Sequence, residues 1–209
     1  MWELCINSIL VWREAIVQNM RTGGVDVTER PILFSGPMVR AILDGSKTQT
    51  RRVVKPQPIP SASLHFDVIA DHIYANGIVA DCKDFPIPIR FYIGDRLWVR
   101  ETFSDRGDNN AAYRATGDVR CEDEYVKLQD MGVVWKPSIF MPRWASRITL
   151  EITDVRVDKL VTINHVDATK EGFDSLEDFK SAWNKLHQRK EGFLWQSNPW
   201  VWVLEFRKV

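Results

Sequence analysis

Lys47, Thr50 and the paired Arg51 and Arg52 stand close together in the stretch Leu43-Asp44-Gly45-Ser46-Lys47-Thr48-Gln49-Thr50-Arg51-Arg52. An ammonium, hydroxyls and two guanidinium groups at one corner suit anion binding. They also suit a hydroxyl nucleophile, provided that a base takes its proton. On a straight strand Lys47 and Thr50 face opposite sides, so Lys47 must belong to a turn if the two cooperate. A surface turn with a solvated lysine is the plain alternative. Arg51, Arg52 and Lys55 offer the donors that grip phosphate. The same charges would equally keep an exposed edge strand from pairing with another sheet.

Further along, Arg100 follows Trp98 by two residues, and Arg143 and Arg147 flank Trp144. Interleaved arginine and aromatic residues let a protein hold a phosphate while stacking a base. Buried tryptophans with arginines on the outer face would read the same way. Two carboxylates stand out. Glu101 shares a strand face with Leu97 and Val99, where burial demands a cationic partner or a raised pKa. Glu171 precedes Gly172 at a helix end, which the helix dipole disfavours for an anion. His65, His72, His165 and His187 lack metal-ligand spacing. Cys5, Cys82 and Cys121 are odd in number with no C-x-x-C, which reads as reduced thiols in a cytoplasmic protein. No metal and no cofactor is expected.

These groups are positioned by a recognisable order of elements. Pro37 to Asp44 reads as a helix, with Ser35 as a cap, Met38/Ile42 and Val39/Leu43 at four-residue spacing, and Gly45 as its stop. An alternating strand follows, then a connector in which Pro56, Pro58 and Pro60 exclude helix and central strand. Residues 61 to 92 hold short apolar bursts around Asn76-Gly77, a hairpin signal. Gly94-Asp95 turns into a strand from Arg96 to Phe103. Residues 104 to 132 are polar, with Ala112 to Thr116 the strand-like part, and Trp135 to Ala145 reads as a structured loop. Ser146 to Val157 alternates cleanly, Val166 to Phe173 and Ser175 to His187 read as helices, and Trp200 to Phe206 is the last strand. Ser175 with Asp178 resembles a capping box. The fold expected is α+β, a small β-barrel with helices at its ends.

At 209 residues the chain is one domain with insertions. Residues 1–27 read as an N-terminal extension, either an accessory helix striped by Cys5, Ile9, Trp12 and Ile16 or a segment upstream of the native start. Residues 28–209 form the domain, with insertions near 53–93 and 104–135. With 28 basic and 28 acidic residues the formal charge is zero. That balance argues against a tail-type polyanion binder and leaves a local basic cleft open. No apolar run is long enough to span a membrane.

The segments Ile42 to Arg52, Gly94 to Glu101, Ile152 to Val155, Ala168 to Phe173 and Trp202 to Phe206, in this order, resemble the ASCH domain family of the PUA-like superfamily. The run Pro142-Arg143-Trp144-Ala145-Ser146-Arg147-Ile148 is similar to its phage and prophage branch. The resemblance implies a small barrel whose cleft binds RNA or a modified nucleoside, in a bacterial or phage-infected cell. The cleft would be lined by Lys47, Thr50, Arg51, Arg52, Trp98 and Arg100, with Arg143, Trp144 and Arg147 nearby. One family activity is hydrolysis of N(4)-acetylcytidine. It implies Lys47, Thr50 and Glu171 as catalytic residues, with Glu101 as the rival carboxylate. Ribonuclease activity, or service as a phage accessory module that binds a host protein, are the other readings.

Overall fold

The computed structural model describes residues 27–57, 64–69, 72–77, 85–88, 90–107, 110–117 and 133–209. Most of the expected N-terminal extension, 1–27, lies outside the described residues. Among the described residues ten strands and three α-helices follow one another. β1 is Glu29–Leu33, α1 Gly36–Leu43, β2 Gln49–Val53, β3 Leu64–Ile69, β4 His72–Gly77 and β5 Phe85–Pro88. Then come β6 Arg96–Arg100, β7 Phe103–Asp105, β8 Ala111–Tyr113, β9 Thr149–Lys159, α2 His165–Lys170, α3 Leu176–His187 and β10 Trp200–Lys208.

The principal sheet has the order β1-β6-β9-β10-β2. β1 runs parallel to β6, and the other pairs are antiparallel. The expected closed barrel is not formed among the described residues. β1 and β2 are both edges, and what joins them is a side chain, Arg52 Nη2 donating to Leu33 O at 3.0 Å. The two edges therefore lie side by side with an unpaired seam between them.

The strands alternate as their sequences require. One sheet face carries Ile32, Leu97, Val99, Leu150, Ile152, Trp202 and Leu204 into the main core with Phe34, Val39 and Ile42. The other face, through Val201 and Val203, packs against Ala168, Phe179 and Trp183 of α2 and α3. Thr50 and Arg52 pair with Leu204 and Trp202 across β2 and β10, so they belong to the first face. Arg51 pairs with Val203 and belongs to the second.

Several local expectations are corrected. Ser35 precedes α1 but its side chain makes no capping bond, and Pro37 in the first turn favours the helix start instead. Asn76 and Gly77 do not turn. They pair with His65 and Leu64 inside β4, as Ile69 pairs with His72 at the other end of the ladder. At α3, Ser175 Oγ accepts from the Asp178 amide at 3.1 Å, half of a capping box. The Asp178 carboxylate returns to the Ser175 hydroxyl, since it is one methylene short of the glutamate that usually completes the motif. Within 104–135, β7 and β8 form a hairpin whose Ala111, Ala112 and Tyr113 are buried. That part of the expected surface insertion is thus packed structure. No helix among the described residues is long and apolar enough to cross a membrane.

Candidate functional site

Two local devices aim Lys47 inward. After α1, Gly45 takes φ +84°, and the Asp44 carboxylate accepts from the Ser46 amide at 2.9 Å. The Lys47 amide then donates back to Ala41 O at 2.9 Å, which closes the turn. The second device is the end of α2. Gly172 donates to Thr169 O and Phe173 to Ala168 O, a Schellman ending that needs Gly172 at φ +84°. The Thr48 amide donates to Lys170 O at 2.9 Å and ties the two corners together.

The Lys47 ammonium consequently spends all three donors inside the protein. Nζ lies 2.7 Å from Gln49 O, 2.7 Å from Glu171 O and 3.0 Å from Glu171 Oε2. The side chains of Lys47 and Glu171 are 0% and 3% exposed. Burial pushes the Lys47 pKa down, and the Glu171 charge opposes that shift. An anion at a helix C-terminus is otherwise unfavourable. Here Lys47 and Arg51 offset it, with Arg51 Nη1 at 3.1 Å from Glu171 Oε1 and Nη2 at 3.0 Å from Asp167 Oδ2. The network continues through Arg156, which meets Asp154, Asp158, Asp167 and Glu205, and Lys170 also meets Glu205. The lysine and arginine at the 47–51 corner are thus neutralised by carboxylates from another part of the chain.

Thr50 is buried on the main-core face, and among the described residues neither Lys47 nor Glu171 hydrogen-bonds its hydroxyl. Phe34 lies beneath the corner, its ring centroid 5.5 Å from Lys47 Nζ and 5.1 Å from Arg52 Cζ. Among the described residues Arg52 donates to the carbonyls of Arg51 and Leu33, and the Glu171 charge also reaches it. A pocket of about 160 Å³ beside the corner is lined by Leu43, Asp44, Lys47, Thr48, Phe206 and Arg207. It is smaller than the roughly 300–1,000 Å³ of most ligand sites.

The rival carboxylate, Glu101, is held elsewhere. It is buried and accepts two bonds from Arg147, at 2.9 and 3.0 Å. Arg147 also donates to Thr116 Oγ1 and lies 4.0 Å over the Tyr113 ring. The structure therefore brings Lys47, Arg51 and Glu171 together and keeps Glu101 and Arg147 as a separate pair.

Trp98, Arg100, Arg143 and Trp144 belong to a second surface. Trp98 and Arg100 point away from the core on β6. Arg100 Cζ is 4.9 Å and Arg143 Cζ 6.0 Å from the Trp98 ring. Arg143 is paired with Glu29 at 2.9 Å in an exposed contact, and Arg100 Nε donates to Met141 O at 2.9 Å. The loop that carries Arg143 and Trp144 is firmly seated. Met141 and Ala145 are buried with Phe103, Ala111 and Tyr113, and Ser146 Oγ donates to Val99 O. On this fixed support Ile139, Phe140 and Trp144 remain outside, 58%, 68% and 44% exposed.

Sequence reasoning missed three elements of these sites. Phe34 gives no sign in sequence that cations will cover it. The partners of Arg156 were readable, because Asp154 and Asp158 lie two residues to either side on the same strand face. Asp167 was also readable, four residues before Glu171 and so one helical turn away.

The left-handed glycines at the two corners, Gly45 and Gly172, give a paired prediction. A Cβ on Gly45 would meet nothing within 4 Å, whereas on Gly172 it would lie 3.1 Å from Ala41 Cβ and 3.3 Å from Lys47 Cβ. Gly45→Ala is expected to cost about 1–2 kcal/mol from backbone strain alone. Gly172→Ala should cost more, because the corner must also spread. Urea titration of both variants checks the order, and equal losses would show that Lys47 is not tightly seated.

No family model and no curated protein matches the sequence. Among solved structures, the chain is similar to an ASCH domain from Lactobacillus crispatus JV V101. The identity is 10%, the coverage 94% of this chain and 92% of that one, and the TM-score 0.43. It is also similar to a DUF984 protein from Enterococcus faecalis V583, with 9% identity, 98% and 94% coverage and a TM-score of 0.40.

Proposed function

We propose that the protein is an ASCH-like, PUA-type domain of the phage branch that binds RNA or a nucleotide-like ligand on its outer face. The ligand lies across Trp98, Arg100, Arg143 and Trp144. The observation that carries this reading is the pairing of Arg100 with an open aromatic surface. Arg100 touches no carboxylate among the described residues, it stacks on Trp98, and Phe140 and Trp144 stand exposed on a loop that is anchored by buried Met141. Rigid exposed rings beside a guanidinium that no carboxylate neutralises stack bases and hold phosphates with little ordering cost. The Lys47 corner lacks both accessibility and free charge, so the ligand is not placed there.

The experiment is a titration of fluorescein-labelled single-stranded RNA by anisotropy at several salt concentrations. Binding should weaken steeply with salt, by a slope of about −0.7 per phosphate contact on a log–log plot. Absence of binding at low salt would overturn the reading.

The 3.0 Å contact of Lys47 with Glu171, with Thr50 three residues after the lysine, supports a second reading as an amidohydrolase on N(4)-acetylcytidine. In it Glu171 takes a proton from the nucleophile, Thr50 or a water, and Lys47 stabilises the oxyanion; the amide C–N bond then breaks, Glu171 returns the proton to the leaving amine, and on the Thr50 route a water hydrolyses the acetyl ester to acetate. Because all three side chains are covered, the corner must open to admit substrate. Cytidine release by the purified protein decides it. Turnover would establish the hydrolase, and its absence excludes that substrate.

A further inference from the structure

Most cations near the 47–52 corner are matched to carboxylates, but one group is not. Lys55, just beyond β2, and Lys190, just beyond α3, both point over the same ring, that of Phe193, with Nζ at 5.6 Å and 6.0 Å from its centroid. Both lysines are exposed, and neither ion-pairs with a carboxylate among the described residues. Arg52 on β2 lies over Phe34, where the Glu171 charge reaches it, and stands outside this group. The His187 imidazole stands edge-on to Phe193 at 6.1 Å and packs on Trp183 at 4.5 Å.

The group is built on fixed backbone. Trp183 Nε1 donates to Phe193 O at 2.7 Å, and the Lys190 and Phe193 amides donate to His187 O and Lys190 O. Gln57 clamps the segment that carries Lys55 onto Trp200, donating to Trp200 O and accepting from the Trp200 amide. Holding two ammonium groups near one another without a counter-charge costs free energy, which an anion would recover.

We propose that Lys55 and Lys190, grouped around Phe193 and His187, form a phosphate site. It would take a phosphodiester of single-stranded nucleic acid or the phosphate of a free nucleotide. The inference rests on the RNA reading for the first of these occupants and is independent of it for the second.

His187 is the reporter. Burial first, and then the charges of Lys190, Lys55 and Arg52, hold its pKa below the ordinary imidazole value. A phosphate bound among these cations favours the imidazolium, so the His187 pKa rises on binding, and affinity increases as pH falls through its titration range.

The experiment follows the His187 C2 proton by NMR, assigned with His187→Gln, during pH titrations with adenosine, 5′-AMP and a single-stranded RNA. RNA binding and its salt slope are measured in parallel on wild type and on Lys55→Gln/Lys190→Gln. The expected result is an upward pKa shift with AMP and RNA but not with adenosine, and a salt slope reduced by about 1.4 in the double variant. If AMP shifts His187 while RNA does not bind, the phosphate site stands and the nucleic-acid reading falls. If RNA binds while His187 is unmoved by AMP and RNA and the slope is unchanged, the phosphate site is overturned and the nucleic-acid reading stands. If neither RNA binding nor a response to AMP is seen, both fall.

Discussion

Replacing Glu171 with alanine is expected to destabilise the protein by about 3–5 kcal/mol, the usual loss when one partner of a buried ion pair is removed. The carboxylate holds Lys47 and Arg51 at once, at 3.0 and 3.1 Å, and neither cation has solvent to turn to. Arg51 keeps Asp167, whereas Lys47 keeps only the two carbonyls of Gln49 and Glu171. For a chain of this size the melting temperature should fall by roughly 10 °C. Lys47→Met added to Glu171→Ala should restore part of the loss, because the stranded ammonium is then gone. A thermal melt of wild type, single and double variants measures both. A single-variant loss below about 1 kcal/mol, or no rescue in the double, would show that the ion pair does not hold the corner.

The largest effect on binding should come from Arg100→Ala combined with Trp144→Ala. Each removes one half of the outer face. One deletes a charge-assisted bond to phosphate, the other a stacking surface worth about 1–3 kcal/mol per base. Each single change should weaken RNA by about tenfold and the pair by about a hundredfold. Neither should unfold the chain, since Trp144 is exposed and Arg100 points out of the core. Anisotropy with melts as controls checks this. A combined loss below threefold would move the binding surface elsewhere.

What the sequence makes legible is mostly local. Gly45 and Gly172 mark the two corners because a left-handed residue beside a helix end is a short-range demand. The buried face of β9 shows in simple alternation, as does the need of Glu101 for a cation. The identity of that cation, Arg147, is set by a loop that Met141 anchors, which no spacing rule contains. The charge of Arg51 looked available because its acceptors, Asp167 and Glu171, lie on α2, more than a hundred residues away. Barrel closure was expected from short strands in sequence, yet it depends on whether β1 and β2 pair, and here one arginine joins them instead. Asn76-Gly77 carries a strong turn propensity that the pairing of β4 with β3 overrides.

The central claim is that ligand lies on the outer aromatic and arginine face. The most direct test is photocrosslinking of 4-thiouridine-substituted single-stranded RNA to the protein, with the modified peptides identified by mass spectrometry. Crosslinks should fall on peptides that contain Trp98, Phe140 and Trp144. Crosslinks confined to other segments, or none at all, would contradict the account and leave the exposed Ile139, Phe140 and Trp144 as a surface for a protein partner.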